Sequence, residues 1–327
     1  SKSRGKMEID SNEDMVNTLR RDGILSSANV ISAFLAVDRG YFLQPSDGSN
    51  VYHNMPIRAG ILHLSAPGIY GMAVEALEFR PGCSFLNIGS GTGYISAVAS
   101  HLLGPSAIHY GVERQQKLFE YSSAKLDSLG LTSIQLVCAN CFSIDPALSM
   151  RFDRIYVGAG ASEDASFLMS MLEVGGTLVG PFQDLSSSSQ SLIKCRRTSE
   201  TEFVISELLS VHFTPLISPK SGADAKPITI CAPRWSPDQF ARFPPTHRAV
   251  IRTLLALHAQ QACLLSVLPK EVIVECIFPH IAYSWFSGAP PSPTPSPAPP
   301  DVMLQDRKRA FSRALRAAAR ALFGGAE

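Results

Sequence analysis

The chain has 327 residues, with 29 Lys and Arg against 28 Asp and Glu and 45% hydrophobic content. That length suits one large domain plus an appendage, and a net charge of +1 leaves no polybasic field for nucleic acid. No apolar run reaches the roughly 18 residues of a membrane span, and the first residues show no signal-peptide h-region. Seven cysteines, an odd number, sit mostly within apolar stretches, as thiols do in a reducing compartment such as the cytoplasm. Cys138 and Cys141 form a lone CxxC with no second pair, so no metal site is expected.

Residues 1–11 are polar and basic and read as a flexible start. Ser11-Asn12-Glu13-Asp14 has the form of a capping box opening a helix through Arg21, which Gly23 ends. Ser27 is expected to cap a second helix carrying Val30, Ile31, Phe34, Leu35 and Val37, and Asp38–Phe42 closes this N-terminal layer. A loop through Tyr52-His53-Asn54-Met55-Pro56 leads to Leu62-His63-Leu64-Ser65-Ala66-Pro67-Gly68. Pro67 suits a first helical turn, which makes Ser65 the expected N-cap. A hydroxyl there can simply cap the helix, or it can dock an anionic group beside exposed backbone N–H groups.

The centre of the chain is Phe85-Leu86-Asn87-Ile88-Gly89-Ser90-Gly91-Thr92-Gly93-Tyr94. Phe85, Leu86 and Ile88 follow the Pro81-Gly82 turn as a buried strand, and Tyr94–Ala99 starts a helix that Gly104 ends. Between them, Gly89, Gly91 and Gly93 allow a ligand close to the backbone at the positive end of a helix. The spacing is GxGxG rather than GxGxxG, and no Gly-Lys-Thr/Ser follows. That points away from NAD and ATP and towards S-adenosylmethionine, although an ordinary strand–helix turn can also require glycine. About twenty residues on, strand Ile108–Glu113 ends in a carboxylate that can accept both hydroxyls of a ribose. The alternative for Glu113 is a solvated residue at the start of the next helix.

Alternation continues through helix 115–129, strand Ile134–Cys138, a polar tip at Asn140 and strand Asp153–Val157. A helix around Phe167–Leu172, a Val174-Gly175-Gly176 turn and strand Thr177–Val179 follow. Ser191–Arg196 and Phe203–Leu209 have no helix between them and predict an antiparallel hairpin at the sheet edge. The pattern is α/β, a doubly wound sheet with ligand-type residues at its strand tips.

After Pro219 the character changes. Residues 220–245 are proline-rich and loop-like, Thr246 is expected to cap helix His247–Gln261, and Leu268-Pro269-Lys270-Glu271 opens another through Phe278. Residues 287–300 read as a stiff Pro-rich linker. Residues 301–327 carry a basic amphipathic segment, either a solvated tail or a surface for an acidic partner. The expected domains are therefore 12–219, an appendage at 220–286, the linker and the tail.

By this point the chain resembles the protein-L-isoaspartate O-methyltransferase family, and most closely its branch of isoaspartyl-methyltransferase-domain-containing proteins. The matching pieces are Leu19–Pro45 with its Ala-Val-Asp-Arg-Gly, Leu62–Tyr70, Phe85–Tyr94, Phe152–Gly160, Val174–Pro181 and Ser210–Leu216. The resemblance implies a Rossmann-like class I methyltransferase that binds S-adenosylmethionine and methylates isoaspartyl carboxylates in damaged proteins. It assigns Ser65 to catalysis and, with Asn54, His63 and Leu64, to the substrate. It assigns Asn87, Gly89, Ser90, Gly91, Gly93, Glu113, Asn140 and Cys141 to the cofactor.

The sequence departs from the family pattern at several of these positions. Asn87 and Asn140 replace carboxylates, Asn54 replaces an aspartate, His63-Leu64 replaces Thr-Ile, and Gly68 replaces a histidine. The same branch places a SOCS-box-like segment after its methyltransferase-like domain, which recruits elongin–cullin ubiquitin ligases. The helix-then-Leu-Pro-helix order of residues 246–286 is similar, and slightly similar to the opening of an F-box. The alternative function is thus a non-catalytic recognition adaptor that docks ligase subunits on the apolar face of Leu268–Phe278. A helical pair packed within the protein is the other reading of that segment.

Overall fold

The computed structural model describes residues 9–44, 50–105, 107–162, 165–183, 189–219, 226–231 and 245–260, together with 270, 273, 274 and 278. It forms two compact units, one reaching from the N-terminal helices to residue 231 and the other containing the helix Pro245–Ala259.

The first unit opens with α1 (Asn12–Arg21) and α2 (Ala28–Ala36). Ser11 caps α1 as expected: its Oγ accepts the Asp14 N–H at 3.1 Å and donates to the Asp14 carboxylate at 2.6 Å. Ser27 precedes α2 but its side chain does not cap it. Its hydroxyl instead donates to Glu75 at 2.6 Å, and Glu75 also accepts the Ser26 and Ser27 N–H groups at 2.8 and 2.9 Å. Glu75 belongs to α3 (Pro67–Leu77), so one carboxylate fastens the start of α2 to a helix far along the chain.

Two short strands, β1 (Ile57–Ala59) and β2 (Leu62–Leu64), pair antiparallel before α3. The main sheet contains β3 (Phe85–Ile88), β4 (His109–Glu113), β5 (Ile134–Cys138), β6 (Phe152–Val157), β7 (Leu172–Gln183), β8 (Gln190–Arg197) and β9 (Phe203–Val211). Its order is β5-β4-β3-β6-β7-β8-β9. The first five strands run parallel, and β8 and β9 join antiparallel as the predicted edge hairpin. Helices α4 (Tyr94–Leu103), α5 (Gln116–Ser128) and the short α6 (Phe167–Ser170) make the crossovers.

The core follows from residue choice. Phe85, Leu86, Ile88, Phe152, Ile155 and Val157 are buried in β3 and β6, as parallel strands covered on both faces require. Tyr94 packs against Phe34, Phe42 and Tyr70 with ring centroids 6.3, 5.5 and 5.6 Å away, which joins the N-terminal layer to α4. Arg39 is fully buried in this cluster, 6.0 Å from the centres of the Tyr70 and Tyr94 rings, and donates to the Val51 carbonyl at 2.9 Å.

Gly175-Gly176, expected as a turn, lies inside β7, which starts at Leu172 instead of Thr177. The register passes from Phe152↔Leu172 to Arg154↔Thr177, so the glycines form a bulge. Gly175 has φ +86°, and a Cβ on Gly176 would sit 2.8 Å from the Glu173 oxygen. The same two glycines that signal a turn are what a bulge needs.

Residues 226–231 belong to the first unit: the Ile230 carbonyl accepts the Met150 N–H at 2.8 Å, and the Cys231 carbonyl accepts the Tyr110 hydroxyl at 2.8 Å. In the second unit, α7 (Pro245–Ala259) occupies the stretch of the expected helix His247–Gln261 but starts two residues earlier, so Thr246 lies within the helix and is not its cap. Most of the expected helix from Leu268, the linker at 287–300, the tail at 301–327 and residues 1–8 lie outside the described residues. Of the apolar face at Leu268–Phe278, the described side chains of Ile273 and Phe278 are buried. Among the described residues no helix is long and apolar enough to cross a membrane.

Candidate active site

The chain leaves β3 for β4 and β5 on one side, then returns to place β6 on the other side of β3. Connections from the tips of β3 and β6 therefore diverge and open a crevice at their carboxyl ends, where doubly wound sheets take ligands. A cleft of about 340 Å³ lies there. Its lining comes from β1–β2 and the following loop, the β3–α4 turn, the tips of β4, β5 and β6, and the strap Phe213–Ile217.

The glycine turn is the floor. Gly89, Gly91 and Gly93 all have positive φ, at +69°, +58° and +88°. Gly89 and Ser90 donate their N–H groups to the Val112 carbonyl at 2.9 and 3.0 Å, which ties the turn to β4. A Cβ on Gly158 would approach the Gly89 oxygen to 2.9 Å, so the turns after β3 and β6 meet this closely only because residue 158 carries no side chain.

Glu113 ends β4 and is buried. One carboxylate oxygen accepts the Gly91 N–H at 3.0 Å and the other accepts the Gln115 N–H at 2.9 Å. It thus braces the glycine turn and the start of α5, and each oxygen retains a lone pair for a further donor.

Asn140 is also buried and fully engaged. Its Oδ1 accepts the Phe142 N–H at 3.1 Å, opening a 3-10 turn over Cys141–Ser143. Its Nδ2 donates to the Ile217 carbonyl at 2.9 Å, a bond that an aspartate could not make. The departure from a carboxylate here thus fastens the strap. Gly160 adds two bonds to that strap, donating to the Thr214 carbonyl at 2.8 Å and accepting the Leu216 N–H at 2.7 Å.

At the other end stands Ser65, which is buried and lines the cleft. Its N–H donates to the Tyr70 hydroxyl at 3.0 Å, and its own hydroxyl makes no hydrogen bond to a described residue. Ser65 is not the N-cap of α3. That position is Ala66, whose side chain cannot cap, and Asn54 supplies the missing acceptor by taking the Gly68 N–H at 2.7 Å. Asn54 and the fully buried Leu64 are absent from the cleft lining, whereas His63 and Cys141 are part of it.

Asn54 and Gly68, two separate departures from the family pattern, are one structural fact. A Cβ on residue 68 would lie 2.8 Å from Asn54 Oδ1 and 2.9 Å from Nδ2. The Asn54 amide fills the space a side chain would need. Gly68→His should displace Asn54 and cost about 1 kcal/mol, the usual worth of a lost cap. Asn54→Ala should cost a similar amount, and the double variant no more than either alone. Urea denaturation of the three variants checks this; additive losses would mean that the two positions act independently.

The charge at the Ser65 end favours an anion. His63 faces Arg58 across the β1–β2 pair, and burial with the nearby Arg58 and Arg39 guanidiniums lowers the imidazole pKa. His63 is therefore neutral at pH 7, and Arg58 supplies the positive charge at the rim. Arg58 also donates to Thr214 Oγ1 at 3.3 Å, and among the described residues no carboxylate pairs with it.

Four residues of the cleft lining each carry a buried side-chain atom with no hydrogen-bond partner among the described residues: Asn87 Oδ1, Ser90 Oγ, and the Tyr94 and Tyr156 hydroxyls. Buried polar groups in native proteins are nearly always satisfied, so four such atoms on residues of one cleft stand out. The sequence reading found Asn87 and Ser90 but missed Arg58, Tyr70, Tyr94, Tyr156 and the strap. A signal existed for Tyr156: Tyr156-Val157-Gly158 ends β6 as Asn87-Ile88-Gly89 ends β3, and the two stretches are in register.

The chain belongs to the protein-L-isoaspartate(D-aspartate) O-methyltransferase family, whose model matches residues 10–221. It is 34% identical over 210 residues to a protein-L-isoaspartate O-methyltransferase of Methanothermobacter thermautotrophicus, covering 64% of this chain and 96% of that one. The corresponding protein of Ignicoccus hospitalis is 31% identical over 205 residues, covering 62% and 96%. In structure, the chain aligns at a TM-score of 0.56 and 23% identity with a Plasmodium falciparum chain assigned to this activity and solved with S-adenosyl-L-homocysteine. That match covers 63% of this chain and 98% of the other and shows a shared fold, the α/β sheet expected from the sequence.

Proposed function

We propose that this protein binds S-adenosylmethionine in the cleft and methylates the isoaspartyl carboxylate of damaged proteins, acting in the cytoplasm. The observation that carries the reading is the convergence, at one crevice, of the glycine turn, Glu113, Ser65 and four buried unsatisfied polar atoms. The family relatives, which bear the name of this activity, support it. The free cysteines among the described residues support a reducing compartment.

The residues fit the cofactor. Gly89, Gly91 and Gly93 leave the turn bare where its backbone must be approached, and Glu113 has lone pairs for the ribose hydroxyls. Asn87 and Ser90 offer polar atoms along the same turn. Asn140, with Cys141 beside it, forms the wall where an adenine would lie between β5 and the strap. When bound, S-adenosylmethionine supplies an electrophilic methyl group on a positively charged sulfur.

The protein's own part is binding and alignment. A side-chain carboxylate is ionised at neutral pH, since its ordinary pKa is about 4, so no general base has to be found. Ser65 donates a hydrogen bond to the acceptor carboxylate, Arg58 attracts it to the rim, and the strap limits water. Holding the oxygen close to the methyl carbon and in line with the bond that breaks is the main source of rate.

Incubation of the purified chain with radiolabelled S-adenosylmethionine and an isoaspartyl peptide tests the reading. Base-labile label on the peptide is the expected result; bound cofactor without transfer would remove methyl transfer from the function. Ser65→Ala should lower turnover or peptide affinity about tenfold or more, the worth of one hydrogen bond to an anion, while cofactor affinity holds. An equal loss of cofactor affinity would reassign Ser65 to the cofactor pocket.

A further inference from the structure

Tyr156 lines the cleft and carries a buried hydroxyl without a hydrogen-bond partner among the described residues. It lies near the end of β6 and is 2% exposed, and its Cα partner across the sheet is Asn87 in β3. Its ring passes close to Gly158, with Cε1 3.4 Å from where a Cβ on that glycine would stand. Tyr70 is near enough to act on it electrostatically, and the Tyr70 hydroxyl is the group that accepts the Ser65 N–H. Tyr156 thus neighbours the glycine-turn strand and the tyrosine that holds the Ser65 loop.

Packing alone does not account for the hydroxyl. A phenylalanine would fill the same volume, and a buried O–H with no acceptor carries a desolvation penalty. Asn87 Oδ1 and Ser90 Oγ sit on the glycine strand and its turn, and Tyr94 sits among the rings around Arg39. Tyr156 comes from β6, across the crevice from the glycine turn, and like Ser65 it lines the cleft. Burial, with Tyr70 adding to it, holds the phenol pKa well above its ordinary value, so the group remains a neutral donor across the pH range of the protein.

We infer that Tyr156 is a catalytic residue whose hydroxyl, together with Ser65, hydrogen-bonds the carboxylate that accepts the methyl group. The inference rests on the methyl-transfer reading above. The phenol keeps its proton throughout: it donates to one carboxylate oxygen, and the other oxygen supplies the lone pair for the new C–O bond as the methyl–sulfur bond breaks and leaves its electron pair on sulfur. Two donors from different elements fix the plane of the carboxylate, which a single serine cannot do.

Tyr156→Phe tests this with two measurements. Without ligand, the variant should melt at the same temperature as the parent or higher, because an unsatisfied hydroxyl has been removed. Calorimetry on protein saturated with S-adenosylhomocysteine should show isoaspartyl-peptide affinity about tenfold weaker or worse, with S-adenosylhomocysteine affinity itself unchanged. Unaltered peptide affinity would overturn the inference. So would an equal loss of S-adenosylhomocysteine affinity, or a lower melting temperature, which would mean that the hydroxyl is already bonded within the fold. If the parent protein binds S-adenosylhomocysteine but no isoaspartyl peptide, the methyl-transfer reading fails and takes the inference with it. A parent that binds peptide, matched by a variant that binds it equally well, sinks the Tyr156 role alone.

Discussion

Glu113→Ala is expected to lower S-adenosylmethionine affinity by about a hundredfold or more. The carboxylate has two tasks. In the proposed mode of binding it would take the ribose hydroxyls, and it already accepts the Gly91 and Gln115 N–H groups at 3.0 and 2.9 Å. Each hydrogen bond to a charged acceptor contributes roughly 1.5–3 kcal/mol, so losing two direct contacts is enough for the stated drop. Release of the brace on Gly91 adds to it. Glutamine is not a mild replacement, because its amide has one oxygen for two backbone donors and would set an NH₂ against an N–H. Glu113→Gln should therefore fall much nearer to alanine than to the parent. Calorimetry on both variants checks this; a glutamine variant of parental affinity would remove Glu113 from the ribose role.

Gly91→Val should reduce the same affinity by a comparable factor for a different reason. Gly91 has φ +58°, where a β-branched residue is strained, and a Cβ there finds only the Gly89 oxygen at 3.7 Å and the His63 oxygen at 4.0 Å. The Cβ fits, and the methyl groups beyond it would occupy the cleft. Gly91→Ala carries most of the backbone strain without those methyls. Affinity lost by valine and largely kept by alanine, with both variants folded, would locate the effect in the filled space. Equal affinities for valine and parent would remove the ligand from this turn.

The parts of this site that were legible in the sequence are those encoded locally. Phe85 to Tyr94 announced a strand, a glycine turn and a helix in ten consecutive residues, and Glu113 followed at the distance one crossover requires. The hairpin of β8 and β9 was legible for the same reason: two β-rich runs with no room for a helix. What stayed hidden depends on partners far apart in the chain. The acceptor that opens α3 is Asn54, 14 residues before the N–H it takes, so the adjacent Ser65 looked like the cap. Glu75 reaches back 48 residues to Ser27, and Asn140 reaches forward 77 to Ile217. No local periodicity carries such pairs. The bulge at Gly175-Gly176 shows a subtler limit, since glycine reports that unusual backbone is needed without reporting which kind.

The dispersal of the cleft has a thermodynamic corollary. Its walls come from the β1–β2 hairpin, the turn after β3, the tips of β4, β5 and β6, and a strap that follows β9, so nearly the whole first unit must be in place before any ligand can be held. Binding energy is then shared by the complete unit rather than by one loop. A ligand at a hundred times its dissociation constant should raise the unfolding free energy of that unit by about 2.7 kcal/mol in a single cooperative transition. Conversely, a destabilising change anywhere in this unit, even one remote from the cleft, should weaken apparent affinity once unfolding competes with binding.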